Sequence, residues 1–408
     1  MVKSKAFNRG LNLYVGLSIV YTLSVNIIGS GLIVTFSRWL LFFVSIFFYL
    51  MVMMNSDKKP FIIWSLGLLY LLFFIYGSFL IIEAKEFHAW RATNIRIRSF
   101  LYLLQITESL LPVFVFYYYS KLGVLNKKYM TKNILLFLSF IVISYIINWQ
   151  RIQMLTESEE VTNNSGYLVL SFFPMLAFLK MKSARQYLLF GFCTLLIFFA
   201  MKRGAILISV VCLLVYFIYL FKESRGVNFW KVAIIFLIAI AAINYTYDYL
   251  LNSSAYFQLR VENTMEGDSS GRDLIFDFFY NYFINETDTK EFLFGLGANA
   301  TLDIYGQYAH NDWLEIAINQ GCLGLIIHLA YWISFLLLCR KKNDDPQVKA
   351  ALIMLFSIYF LKTLFSMSYR DYTLYSSMAF GYCIARSYIE GKTSKDLDGK
   401  RVNKQLIK

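Results

Sequence analysis

The chain alternates long apolar runs with short polar stretches. A helix that crosses hydrocarbon needs roughly 20 mostly apolar residues, and the runs predict about twelve such spans. They lie at residues 11–34, 36–54, 61–82, 100–119, 133–149, 166–179, 186–201, 204–221, 232–247, 312–338, 350–369 and 372–388. The 166–179 run is short and holds Pro174, and the two runs after it are divided only by Lys202 and Arg203. If those two runs formed one element, the orientation of everything downstream would change. The expected fold class is all-α, a polytopic membrane protein with one long extracytoplasmic loop that contains short helices. N-terminal transmembrane helices fill 1–247, the loop 248–311, C-terminal transmembrane helices 312–389 and a basic tail 390–408.

Inside the loop, a turn at Gly271 precedes Leu274, Ile275, Phe278, Phe279 and Tyr282 at helical spacing. That spacing predicts a short helix along the membrane, with Arg272 and Asp273 in its first turn. Gly295 and Gly297 predict a tight turn. Asp312 with Glu315 three residues on has the form of a capping box, so Asn311 or Asp312 is expected to cap the next helix. Along it, Ala317, Gly321 and Gly324 recur at small-residue spacing, which lets a neighbouring helix approach.

Charge tests this layout independently of hydropathy. Lys and Arg of short loops favour the cytoplasm. Lys3, Lys5 and Arg9, then Lys58 and Lys59, Lys121 to Lys132, Lys180 to Arg185, Lys222 to Lys231 and Arg340 to Lys349 fall on one side, so both termini are expected there. The first span is too long for a signal-peptide core and is expected to stay attached. Composition agrees: 58% of residues are hydrophobic and 16% charged, against about 25% charged in soluble domains. The net charge of +13 is scattered over separate loops without a binding motif, so it reads as orientation and nucleic acid is not an expected partner. All five cysteines lie in predicted spans without metal-ligand spacing, and there are only three histidines; neither metal nor cofactor is expected.

Cations that break the charge pattern are the places to look for chemistry, because charge at membrane depth is costly. Lys202 and Arg203 are wedged between two apolar runs on the expected outer side, and Arg91, Arg96 and Arg98 crowd the outer loop at 83–98. These side chains could simply snorkel to lipid phosphates. The functional reading is a cationic site for a phosphate-bearing substrate, since the Arg fork matches phosphate oxygens. The long loop adds Arg260 and Arg272 among many acids, and His310 ends it where a general base near neutral pH would be placed. Asn26, Glu108, Asn148 and Lys362 are polar positions within spans and carry no single assigned role.

With these residues in view, the chain resembles the bacterial O-antigen ligase and O-antigen polymerase superfamily. The resemblance rests on His310–Asn311, nine residues, then Gly321-x-x-Gly324; on Arg203–Gly204 at an outer helix junction; and on Gly271–Arg272, followed by Gly295 and Gly297. It covers roughly the second half of the chain. The family usually has Ser before that first Arg, and here Lys202 stands there.

The resemblance implies a metal-independent glycosyltransferase at the outer face of the bacterial inner membrane, taking a glycan from a polyprenyl (undecaprenyl) pyrophosphate carrier. It implies that Arg203 and Arg272 hold the pyrophosphate as it leaves, and that His310 orients or deprotonates the acceptor hydroxyl. Lys202, Arg91, Arg96, Arg98, Asn311 and Arg260 are the further substrate-binding candidates. Membrane lipids, a chain-length regulator and a flippase are the other expected partners. A polymerase acting on a carrier-linked repeat is the favoured expectation. A ligase acting on lipid A core is the alternative, and a polysaccharide flippase or transporter is the alternative of another class.

Overall fold

The computed structural model describes residues 2–28, 31–83, 102–153, 165–179, 184–200, 202–223, 241, 244–245, 247–249, 251–252, 258, 262, 271–341, 345–364 and 366–388. Every regular element among them is helical. Four helices are long and apolar enough to cross a membrane: Leu32–Met54, Phe61–Ser78, Lys127–Ile147 and Asp312–Arg340.

The expected count of about twelve spans is not supported. Several runs are broken or cut short. Residues 166–179 form two helices, Ser165–Leu170 and Phe173–Leu176, and the 100–119 run breaks at Leu111, where Pro112 opens Pro112–Lys121. Proline at the first helical position has no amide hydrogen to strand, so it starts a helix more readily than it continues one. Ala184–Phe199, of 16 residues, is apolar but shorter than a full crossing. The 350–369 run is helical only as Pro346–Thr363, and most of the 232–247 run lies outside the described residues.

The long helices are inside out relative to those of a water-soluble domain. In Leu32–Met54 the buried seam is Val34, Ser37, Leu41, Ser45, Tyr49 and Val52, while Leu32, Phe36, Phe43 and Phe47 point outward. In Asp312–Arg340 the buried side carries Gly324, His328, Tyr331 and Ser334, and Ile326, Leu329, Ile333 and Leu337 are exposed. Contiguous apolar exposure of this kind marks a surface whose solvent is not water, and small or hydroxylated residues let membrane helices meet closely. Seam hydroxyls pair across helices: Ser65 with Ser334 at 2.6 Å, Tyr14 with Ser45 at 2.8 Å and Tyr70 with Thr107 at 3.1 Å.

The short 165–179 segment is buried almost throughout, so its frayed carbonyls need partners. Gln186 donates to the Leu176 carbonyl (3.0 Å) and Gln347 to that of Ala177 (2.9 Å).

The loop before Asp312 packs onto that helix with its own apolar cluster of Ile275, Phe279, Phe283, Ala309, Leu314 and Ala317. Arg272–Asn281 forms as expected, with Ile275 and Phe279 inward, but Leu274 is exposed. The small residue Gly321 lets the short Thr289–Phe294 helix and the turn after it approach closely. Gly321 kinks its helix at φ 65° and ψ −161°, and the turn at Gly295 and Gly297 docks into the kink. Leu296 N–H donates to the Ile318 carbonyl and Gly297 N–H to that of Asn319, both at 2.9 Å. A Cβ at Gly321 would lie 2.6 Å from the Gly295 nitrogen and the Leu293 carbonyl. Backbone thus meets backbone, from the end of the short Thr289–Phe294 helix and the turn that follows it.

Candidate functional site

Residues 366–372 do not continue the preceding Pro346–Thr363 helix, because a residue some 50 positions earlier captures them. The buried Asp312 carboxylate accepts from the Ser368 amide at 2.9 and 3.1 Å and also from the Ser368 hydroxyl. Ser109 fixes the other end, donating to the Tyr369 carbonyl (2.8 Å) and accepting from the Tyr372 amide (2.9 Å). Held in this way, the segment presents Arg370 inward.

Arg370 Nη2 donates to Asn299 Oδ1 at 2.7 Å and lies 3.9 Å from Glu315 Oε1. Its guanidinium sits among the rings of Tyr308, Tyr102 and Tyr369, at 4.8, 4.9 and 5.3 Å. Burial opposes its charge, but the surrounding phenols and Glu315 outweigh this and raise its pKa, so it stays a cation. Glu315 is fully buried, accepting from the Thr301 hydroxyl (2.8 Å), the Ala309 amide (2.9 Å) and Asn319 (3.0 Å). It therefore does not close the expected capping box: Asn311 caps the helix alone, accepting from the Trp313 and Leu314 amides. The capping box in this region is Asp288 with Glu291.

Beside this network, two cations from separate parts of the chain, Lys362 and Arg272, lie near Tyr167. Lys362 lies 4.3 Å from the centre of the Tyr167 ring and pairs with Asp371. Arg272, first residue of its helix after Gly271 at φ 73°, is close enough to act on Tyr167 electrostatically. Lys202 packs against the next residue back, since a Cβ added to Gly166 would meet its Cβ at 3.4 Å. Arg203 opens the Arg203–Glu223 helix and is exposed.

His310 is half-buried in the left-handed region, at φ 51°. Its neighbours tie it to the end of the helix that carries Lys362. Asn311 Nδ2 donates to the Leu364 carbonyl and Trp313 Nε1 to the Thr363 hydroxyl, each at 3.1 Å. Arg91, Arg96, Arg98 and Arg260 lie outside the described residues.

The sequence reading missed Arg370, Asp371, Asp312 as an anchor, Glu315 as a buried acid, and Tyr167. One signal was available: an adjacent Arg–Asp pair at the boundary of two apolar runs, in a position where either charge is costly.

Asn311→Ala should lower stability by about 1 kcal/mol, the usual cost of losing such a cap, while Asn311→Asp keeps the cap and loses only the contact to Leu364. Thermal unfolding in detergent checks this; equal loss in both variants would show that the Leu364 contact, rather than the cap, is what stabilises.

No protein-family model matches the chain and no curated protein matches it, so the family expectation rests on the residues themselves, His310, Asn311, Gly321 and Gly324 foremost.

Proposed function

We propose that this protein is a metal-independent membrane glycosyltransferase of surface-polysaccharide assembly. It acts as a polymerase, moving a glycan from an undecaprenyl pyrophosphate carrier to a carrier-linked repeat unit at the outer face of the bacterial inner membrane, with both termini cytoplasmic. The observation that carries this reading is that Arg203 and Arg272 each open a helix. A cation there opposes the helix dipole, so helix stability gives no reason for either. An anion at the same place is favoured by the exposed amides and by the guanidinium together. A pyrophosphate leaving group develops that negative charge, and fixed cations shielded from water stabilise it. In this reading His310 receives or orients the acceptor hydroxyl proton, and Lys362 adds positive potential at Tyr167.

The test is reconstitution of the full chain with an undecaprenyl pyrophosphate-linked repeat unit, with and without lipid A core, and products resolved by size. A ladder from the carrier-linked repeat alone is the expected result. Transfer only when lipid A core is present would make the protein a ligase, and no product in either arm, with the repeat unit moved across the bilayer instead, would make it a transporter.

A further inference from the structure

A second polar site lies outside the cationic cluster. Between residues 14–22, 41–45, 105–112 and 370–375, and beside Leu168, is a cavity of about 220 Å³, whose walls include Tyr21, Gln105, Glu108, Arg370 and Tyr372. Glu108 is held by Arg38 through two nitrogens and accepts from the Tyr21 hydroxyl at 3.0 Å. The Arg370 side chain is 5% exposed, and its buried Nε has no hydrogen-bond partner. Gln105 is exposed in the wall. Ionisable groups inside a helical membrane bundle are costly, and apolar packing of the same volume would serve stability as well or better. Their presence around open space points to a ligand.

The lining chooses among ligand classes. A phosphate or carboxylate would meet the Glu108 carboxylate, and a metal ion or ammonium group would meet the Arg370 guanidinium. A ligand that both donates and accepts satisfies both: a hydroxyl can give to the remaining lone pair of Glu108 and others take from Arg370 and Gln105. Tyr21 and Tyr372 supply aromatic surface for the apolar faces of such a ring. The volume is below the roughly 300–1,000 Å³ typical of pockets for drug-sized ligands, which suits one ring and not an oligosaccharide.

We infer that this cavity binds a single monosaccharide residue, with Glu108 and Gln105 selecting among its hydroxyls. The inference rests on the glycan-transfer reading for its biological source, the sugar of a carrier-linked unit, and on the cavity for its chemistry. Because Arg370 is a wall of the cavity and also pairs with Glu315, which holds the Ala309 amide next in sequence to His310, the guanidinium links the sugar site to the loop that carries His310.

The test uses full-length protein in nanodiscs and saturation-transfer NMR with a panel of methyl glycosides of common hexoses, 6-deoxyhexoses and N-acetylhexosamines, with inorganic phosphate as the comparison probe. At least one glycoside should receive saturation from the wild type. Gln105→Trp, which fills the cavity from its exposed wall, should weaken its binding by about tenfold or more. Gln105→Ala should weaken it less, and serves where the larger side chain prevents folding. Displacement of the glycoside by the carrier-linked repeat identifies the glycan as source, and binding without displacement identifies free sugar. Absence of signal from every glycoside, equal binding in both Gln105 variants and wild type, or phosphate binding that the variants remove would each overturn the inference. A ladder in the reconstituted assay without glycoside binding would leave the transferase reading standing and remove this one. Glycoside binding sensitive to Gln105 without a ladder would do the reverse.

Discussion

Arg272→Ala and His310→Ala should each abolish the polymer ladder while leaving an inserted, folded protein. Losing one preorganised charge at a developing anion costs about 10² to 10³ in rate, and losing a general base about 10² to 10⁴. Stability should hardly change at Arg272. It is half-buried in the first turn of Arg272–Asn281, where a positive charge gains nothing from the helix dipole. Arg272→Lys separates two roles, because it keeps the charge and loses the bidentate fork; partial activity would assign charge, and none would assign geometry.

At His310 the backbone is in the left-handed region, which a non-glycine residue occupies at a cost on the order of 1 to 3 kcal/mol. His310→Asn keeps a residue that tolerates this conformation, so its inactivity would isolate the imidazole. Normal ladders from both alanine variants would sink the assignment. A loss accompanied by aggregation would make these residues structural.

Gly321→Ala should be the most destabilising single methyl addition in the Asp312–Arg340 helix. Its φ of 65° and ψ of −161° lie in a region essentially reserved for glycine. The new Cβ would also press on the Leu293 and Gly295 backbone at 2.6 Å. Strain and overpacking together come to about 2 to 6 kcal/mol, a large share of an ordinary stability of about 5 to 15 kcal/mol. The damage should spread to the loop that carries His310, because the hydrogen bonds from Leu296 and Gly297 to Ile318 and Asn319 depend on the kink. Gly191→Ala is the control: that glycine is helical and a Cβ there meets nothing within 4 Å, so it should be neutral or slightly stabilising. Thermal unfolding in detergent, with protease sensitivity near 293–297, reads both. An alanine at 321 as stable as wild type would mean that the helix runs straight and the loop docks elsewhere.

Much of the site's raw material was visible in the chain. His310–Asn311, Gly271–Arg272 and Lys202–Arg203 are local patterns, and each lies where its pattern suggested, at a helix start or next to one. Arg370 was marked only by the adjacent Asp371 at a boundary between two apolar runs, and nothing local shows what it pairs with. Its partners come from positions 102, 299, 308 and 315.

By itself the sequence determined that the chain is helical and that some of its helices suit a membrane. Backbone amides in hydrocarbon must close their hydrogen bonds within the segment, so run length and polarity are enough to decide this. It did not determine how many runs become full-length spans, because an apolar run continues as helix only until a distant group offers its backbone a better partner. Asp312 does so at Ser368, and the kink at Gly321 does so for the turn at Gly295. The tertiary structure alone decided which charges are paired at depth, Arg38 with Glu108 and Arg370 with Glu315. The physical reason is that desolvated charges are stable only where partners from several elements converge, and convergence is a property of packing that no local spacing encodes.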